Sequence, residues 1–209
     1  MTENKDNFLN IEKARFETFI DAILAIIMTI MVLDIRLPET ALLSEENLRD
    51  ELLKSFTPLL GFIISFFTIV TMWIDHHDLL RSMKKVTKEF VVLNFILVAI
   101  TATLPFTTTI AWNNPHSPSA VFAYAVNILL INLFIVILFV FGIKFRLLDE
   151  KFLQSKFMKV KGIFGFVGIM FTIASLPLAF VNPSISLFIA GLIPFSHITL
   201  ILFTRKFKS

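Results

Sequence analysis

The chain has 209 residues, of which 56% are hydrophobic, and its mean hydropathy is +0.81. A soluble domain of this length cannot bury so much apolar surface, so the composition predicts an all-α polytopic membrane protein. The net charge is only +3, and the absence of cysteine excludes disulfides, cysteine zinc sites and iron–sulfur clusters.

A membrane-spanning helix needs about 20 mostly apolar residues. Six stretches satisfy this requirement: about 16–37, 55–75, 90–112, 119–143, 161–181 and 184–204. We therefore predict one six-helix transmembrane domain over 1–209, with no separate soluble domain. The first hydrophobic run follows a charged start and is too long for a signal-peptide core, so no cleavable signal peptide is expected.

The basic residues are distributed unevenly among the predicted loops. Of the 19 Lys and Arg residues, only Arg36, Arg49 and Lys54 fall on one side of the membrane, and the remaining 16 fall on the other. The positive-inside rule places both termini in the cytoplasm. The first loop is acidic, and it forms either a cation-attracting outer vestibule or a solvated loop helix.

The first span contains a carboxylate, Asp21, well inside its first half. A charge near the membrane centre costs about 3 kcal/mol on insertion scales, so Asp21 requires a partner or a function. Trp73, His76, His77 and Asn94 lie at the same predicted cytoplasmic depth and can each donate a hydrogen bond. Asp21 is then either part of a structural clasp between helices or a proton-relay group.

An apolar stripe follows the first span at helical spacing. At 100° per residue, Asp21 points about 140° away from Ile26, which lies near the middle of this stripe. The stripe either lines a pathway or faces lipid and other helices. Its members are Phe19, Ala22, Ile23, Ile26, Thr29, Ile30, Leu33 and Leu37.

Enzyme and cofactor signatures are missing from the sequence. There is no GxSxG, HExxH or P-loop spacing, and the TVGYG filter of ordinary potassium channels is also absent. His76 and His77 are adjacent and diverge on a helix, so they do not suggest a metal site. We expect neither an enzyme nor a nucleic-acid-binding protein, and we expect no cofactor.

The start of the first span resembles a known signature. Arg15-x-x-x-Phe19-x-Asp21 is similar to the R-x-x-x-F-S-D pattern of the transmembrane protein 175 potassium-channel family. Ile20 stands where the family pattern has serine, so one hydroxyl is missing beside Asp21. This difference puts the details of the polar network in doubt more than the family.

The second and third spans extend the resemblance through the first half of the chain. Trp73-x-x-His76-His77 resembles the family's W-x-x-H-H, and Asn94 with 104–107 (Leu-Pro-Phe-Thr) is similar to its third-helix pattern. The second half agrees only in its number of helices.

The resemblance implies a potassium-preferring homotetramer in which the first helix of each subunit lines the pore. A ring of side chains then forms the gate and filter, with the constriction at Ile26 and with Thr29, Ile30 and Leu33 further out. It also implies K⁺ as the permeant ion, leak of Cs⁺, H⁺ and weakly Na⁺, and a bacterial or archaeal cell membrane. The structural polar network comprises Arg15, Phe19, Asp21, Trp73, His77 and Asn94.

Two other functions remain open from the sequence. A proton-coupled secondary transporter or proton leak pathway would use Asp21 and His77 as relay groups. Such transporters usually contain repeats or helices broken at the midplane, whereas the first span has no Gly or Pro before Pro38. A membrane scaffold that conducts nothing is the third possibility.

Overall fold

The computed structural model describes residues 12–35 and 45–204, except for the side chains of 34, 45–47, 51, 157 and 196–204. Within these ranges the chain is nearly all helical, with no strand and one isolated bridge between Met83 and Leu148. This confirms the all-α class. The helices are α1 (Lys13–Ile30), α2 (Glu45–Ser82), α3 (Lys88–Ala102), α4 (Leu104–Asn113), α5 (Pro118–Lys144), α6 (Glu150–Gln154), α7 (Lys156–Val181) and α8 (Pro183–Thr204).

Several helices are long and apolar enough to cross a membrane. The described residues contain five such segments: Lys13–Leu33, Leu48–Ser82, Lys88–Asn113, Pro118–Lys144 and Met158–Val181. In α8 the described apolar part, Pro183–Phe195, is shorter than a full span. The chain is therefore a multi-pass membrane protein, while the sixth span and the orientation remain predictions.

The C-terminal end of α1 departs from a regular α-helix. The α-helical part stops at Ile30 and continues as a 3₁₀ turn over Met31–Asp34, whereas an uninterrupted span to 37 was predicted. Residues 36 and 37 lie outside the described part. A 3₁₀ turn has three residues per turn, so Leu33 lies directly above Ile30 instead of being rotated away from it.

The second helix is much longer than its predicted span of 55–75. Helix α2 has 38 residues and runs through Pro58. The charged residues at both ends of the predicted span are also helical. Before Pro58, leucines and other good helix formers extend the helix beyond the predicted span. The segment from Asp75 to Asp78 is therefore helical, and its side chains point in several directions.

The predicted third span, 90–112, consists of two helices that meet at Thr103. Pro105 has no N–H, and its ring obstructs the carbonyl four residues earlier, so the hydrogen-bond ladder breaks here. The Asn127 amide of α5 donates to the Ile100 carbonyl at 3.2 Å and to the Thr103 hydroxyl at 2.5 Å. The break is thus stabilised by a side chain from another helix.

The outer half of the core is joined by hydroxyl groups. Ser65 of α2, Thr108 of α4 and Tyr124 of α5 are buried and form hydrogen bonds of 2.8 Å (Thr108 to Ser65) and 3.0 Å (Ser65 and Tyr124). Beside them, Gly61 lets α2 approach Trp112 so closely that a Cβ atom would lie 2.2 Å from the indole Cγ. Helices α2, α4 and α5 are consequently in tight contact.

Candidate functional site

Helix α1 presents two different faces. One face is buried against the rest of the chain and consists of Phe16, Ile20, Leu24 and Ile27, followed by Met31 in the 3₁₀ turn. On the other face Ile26 is 56% exposed, Ile30 47% and Leu33 75%. The exposed face coincides with the predicted stripe, so within one subunit the candidate pore residues are not covered.

The Thr29 hydroxyl lies on the same exposed face. Its Oγ1 atom donates a hydrogen bond to the Ile26 carbonyl at 2.9 Å. Since the hydroxyl proton is used within the helix, the oxygen lone pairs are directed away and can accept or coordinate. Thr29 therefore offers an oxygen ligand one turn outward of Ile26.

An apolar recess adjoins the stripe on one side. It has a volume of about 450 Å³ and lies between the outer part of α1 and the α3–α4 break. Its lining residues are Ile27, Ile30, Ala102, Pro105, Phe106, Thr109 and Ile110. The recess leaves room for a further apolar group beside α1.

The Asp21 carboxylate is tied to the second helix. The Trp73 indole donates its N–H to Asp21 Oδ1 at 2.8 Å, and both side chains are half-buried. The Trp73 ring also packs against the His77 ring, with centroids 5.6 Å apart. A single charge-assisted hydrogen bond thus joins α1 to α2 at this depth.

The two histidines have different partners. His77 Nδ1 lies 3.1 Å from the Glu17 carboxylate of α1, within ion-pair range but without the alignment of a hydrogen bond. His76 is buried, and its Nε2 lies 2.5 Å from the Asn94 amide oxygen. The Asn94 nitrogen donates to the Phe90 carbonyl at 2.7 Å, which leaves the oxygen as acceptor and His76 Nε2 as donor.

The structure thus brings Asp21 and Trp73 together, while Asn94 contacts His76 instead of the carboxylate. Arg15 is exposed and forms no hydrogen bond or ion pair with the described residues. Phe19 is half-exposed and makes an edge contact with Phe95, with ring centroids 6.0 Å apart. The residues of the predicted network are therefore distributed over two separate clusters and an exposed surface.

Sequence reasoning missed a third cluster at the same end. Lys161, at the first position of the predicted fifth span and counted there among the loop cations, lies near the start of α7 and is 8% exposed. Its ammonium group lies 2.9 Å from the Asp75 carboxylate and 2.6 Å from that of Asp78. The Asp75-x-x-Asp78 spacing places both acids on one helix face, which was the available signal.

These contacts make the C-terminal end of α2 a junction between helices. It contacts α1 through Asp21 and Glu17, α3 through Asn94, and α7 through Lys161. In addition, Lys13 at the start of α1 donates to the Met83 carbonyl at 2.8 Å. Among the described residues, no group of three His, Asp or Glu side chains is placed to hold a metal ion.

Comparison with known proteins shows that the chain is similar to proteins named as potassium channels. The family model described as "Endosomal/lysosomal potassium channel TMEM175" matches residues 15–105. A potassium channel of Chamaesiphon minutus is 30% identical over 99 residues, which is 47% of this chain and 49% of that protein. A potassium channel of a Chryseobacterium species is 31% identical over 118 residues, covering 56% and 58% of the two chains.

The matched segments thus span only about half the length of these relatives. They are named as channels and not as enzymes, in agreement with the expectation that this chain is not an enzyme. The whole chain is better compared by structure. A solved lysosomal potassium-selective channel TMEM175 homologue from Chamaesiphon minutus has a TM-score of 0.78 at 22% identity and covers 90% of this chain and 97% of that one.

At this identity the structural match shows the fold, and the family model shows the sequence relationship over the first half. The resemblance predicted from the first-helix signature is confirmed. Residues 15–105 match the sequence model of the transmembrane protein 175 potassium-channel family, and nearly the whole chain shares the fold of a solved homologue from that family.

Proposed function

We propose that the chain is the subunit of a potassium-preferring cation channel, a homotetramer in which α1 of each subunit lines a central pore. The observation that carries the proposal is the exposed apolar stripe of α1, whose opposite face is fully packed. Because the rest of the chain leaves this apolar stripe uncovered, we expect α1 to pack against the α1 helices of neighbouring subunits around a central axis. The recess beside Ile30 and Phe106 offers space for a neighbouring subunit.

The proposed gate and filter is a ring of four Ile26 side chains. Such a ring forms a dewetted neck, which an ion crosses only after shedding much of its water. K⁺ holds its water less tightly than Na⁺ and passes with the smaller penalty. The Thr29 oxygens, one turn outward, restore part of the lost coordination, and Ile30 and Leu33 extend the apolar lining.

Asp21 has a structural role in this proposal. Its angular position points it away from the stripe, and its carboxylate is held by the Trp73 indole at 2.8 Å. The contact fixes the rotation of α1 about its axis and thereby keeps Ile26 on the pore side. Both termini lie in the cytoplasm, and the channel spans a bacterial or archaeal cell membrane.

Reversal potential in reconstituted bilayers, with K⁺ on one side and Na⁺ on the other, tests the proposal. We expect the reversal to shift toward the K⁺ equilibrium potential. Ile26→Asn should wet the neck, raise the current and move the permeability ratio toward one. The matched control is Ile163→Asn on α7, where the side chain is also exposed but lies outside the proposed pore.

Two results would count against the channel. Unchanged permeability ratios in Ile26→Asn would remove the pore assignment while leaving ion conduction possible elsewhere in the protein. Absence of current from demonstrably tetrameric protein, together with saturable proton-coupled flux, would support the transporter that uses Asp21 and His77. In the described residues these two groups share no hydrogen bond or ion pair, so a relay between them has no direct contact to follow.

A further inference from the structure

Basic side chains from two loops are brought together at the inner end of the helices. The loop between α2 and α3 is joined to the segment after α5 by two backbone hydrogen bonds: Lys84 N to Leu147 O at 2.8 Å and Asp149 N to Ser82 O at 3.0 Å. We call the exposed cations that surround this junction the basic inner surface. They are Arg81, Lys84, Lys85, Lys88, Lys144 and Arg146.

Arg146 occupies a backbone conformation that favours glycine. Its φ is 55°, and among the described residues it is the non-glycine residue with positive φ. The Leu147 N–H returns to the Gly142 carbonyl at 2.9 Å and closes the end of α5, an arrangement in which Gly usually occupies this position. A side chain here is unfavourable for the backbone, and the Arg146 side chain is exposed at this junction.

Phe145 adds an apolar contact between two cations. Its ring is 55% exposed, stacks on Phe141 with centroids 4.5 Å apart, and has the Lys144 ammonium 5.9 Å from its centre. The ring directly follows the candidate membrane span Pro118–Lys144, and the end of a span is where lipid headgroups are expected. Lys144 and Arg146 can bind a lipid phosphate while the Phe145 ring between them contacts the acyl chain.

The acids near this surface do not neutralise it. Glu89, Asp149 and Glu150 adjoin these cations in the sequence, three acids against six cations, and Glu12 adjoins Lys13, which donates to the Met83 carbonyl. Asp149 already accepts the Lys151 N–H at 2.9 Å and caps α6. Asp78 on α2 is paired with Lys161. The surface therefore has a positive excess that attracts a fixed anion.

We propose that the basic inner surface binds the phosphate headgroup of an anionic phospholipid, with Arg146 and Lys84 as its main ligands and Phe145 against the acyl chain. A lipid is favoured over a soluble anion because the cations border the ends of membrane spans. Each basic residue near an anionic membrane surface contributes about 1 kcal/mol, and 1.4 kcal/mol corresponds to a factor of ten in affinity.

Native mass spectrometry of the delipidated full-length chain in neutral detergent tests this site. Phosphatidylglycerol and phosphatidylcholine with identical acyl chains are titrated against the wild type and the double variant Lys84→Gln/Arg146→Gly. We expect phosphatidylglycerol binding to weaken by roughly tenfold or more in the double variant, with phosphatidylcholine binding unchanged. Arg49→Gln, at the other end of α2, is the control that removes one exposed cation outside this surface, and it should bind like the wild type.

Folding is separated from binding by the Arg146→Gly single variant. Glycine is unstrained at positive φ, so this variant should melt at or above the wild-type temperature while losing phosphatidylglycerol affinity. Unchanged phosphatidylglycerol binding in the double variant would overturn the proposal. An equal loss in Arg49→Gln, or displacement of the lipid by inorganic phosphate at the same concentration, would also overturn it.

Discussion

Ile20 illustrates how one side chain changes the surroundings of a buried charge. The family signature has serine at this position, whereas Ile20 is 1% exposed and packs in the core beside Phe16 and Leu24. A hydroxyl beside Asp21 is thus replaced by apolar packing, and the Trp73 indole supplies the hydrogen bond to the carboxylate. The replacement of serine by Ile20 changes the residues that surround Asp21, but it leaves the hydrogen bond from Trp73 in place.

Gly61 permits the close approach of α2 and α4. A methyl group at this position would lie 2.2 Å from the Trp112 ring, and that ring is itself buried. We expect Gly61→Ala to lower the free energy of unfolding by about 1–3 kcal/mol, because overpacking outweighs the gain of up to about 1 kcal/mol in helix propensity. Thermal unfolding in detergent would measure the loss.

Gly162 provides the comparison for this substitution. It also lies in a helix, but an added Cβ would meet no atom within 4 Å. Gly162→Ala should therefore be neutral or slightly stabilising. If both alanine variants melt at the same temperature, the contact between Gly61 and Trp112 does not limit the packing of α2 on α4.

The helices differ in how far the sequence predicts them. Apolar length located the five spans found in the described residues, and 3.6-residue periodicity identified the exposed face of α1, because both are local properties. The N-terminal extension of α2 agrees with the solvated helix that was one of two alternatives for the acidic first loop, whereas the extension over 76–82 was missed because hydropathy cannot separate a solvated helix from a loop. The support of Ile100 by Asn127 and the pairing of Lys161 with Asp78 were also missed, because they depend on contacts between distant segments.

The ion pairs of Lys161 with Asp75 and Asp78 join helix α7 to α2. Lys161→Met would leave Asp75 and Asp78 without their cation in a partly buried site. We expect it to lower the free energy of unfolding by about 2–3 kcal/mol, near the lower limit for breaking a buried pair because the acids are partly exposed. Thermal unfolding in detergent would again provide the measurement.

Two further variants decide whether charge pairing is the cause. Lys159→Met, an exposed lysine of the same helix, should change stability by less than about 0.5 kcal/mol. Adding Asp75→Asn and Asp78→Asn to Lys161→Met should recover part of the loss, because no uncompensated carboxylate remains. A loss of equal size in Lys159→Met, or no recovery in the triple variant, would contradict this explanation.

The chain as a whole divides into a packed body and one lightly attached helix. Helices α5, α7 and α8 pack closely on one another, whereas α1 packs on α2 and α3 through one face only. In the proposed tetramer the four α1 helices meet at the central axis, and the remaining helices of each subunit surround them. Most of the conducting surface then comes from a segment that contributes little to the packed body.

The absence of native cysteine allows a direct test of the assembly. Leu33→Cys should form covalent dimers on oxidation or with a short bismaleimide, because Leu33 side chains of adjacent subunits would face one another near the axis. A disulfide requires Cα atoms within about 7 Å, so the reaction is sensitive to this geometry. Denaturing electrophoresis of membranes would measure the product.

Phe188→Cys is the matched control on α8, where the side chain is 64% exposed but lies outside the proposed axis. It should remain monomeric under the same conditions. Equal cross-linking of the two variants would indicate random collision, and no cross-linking of Leu33→Cys in tetrameric protein would place α1 away from the axis.

The Lys161 ion pairs also bear on the order in which the protein is made. Asp78 and Lys161 are separated by 83 residues, so at about 5–20 residues per second roughly 4–17 seconds pass between their synthesis. During this interval the two acids on α2 lack their cation. We therefore expect the C-terminal end of α2 to stay in contact with water during insertion, and the bundle to close only after α7 has been made.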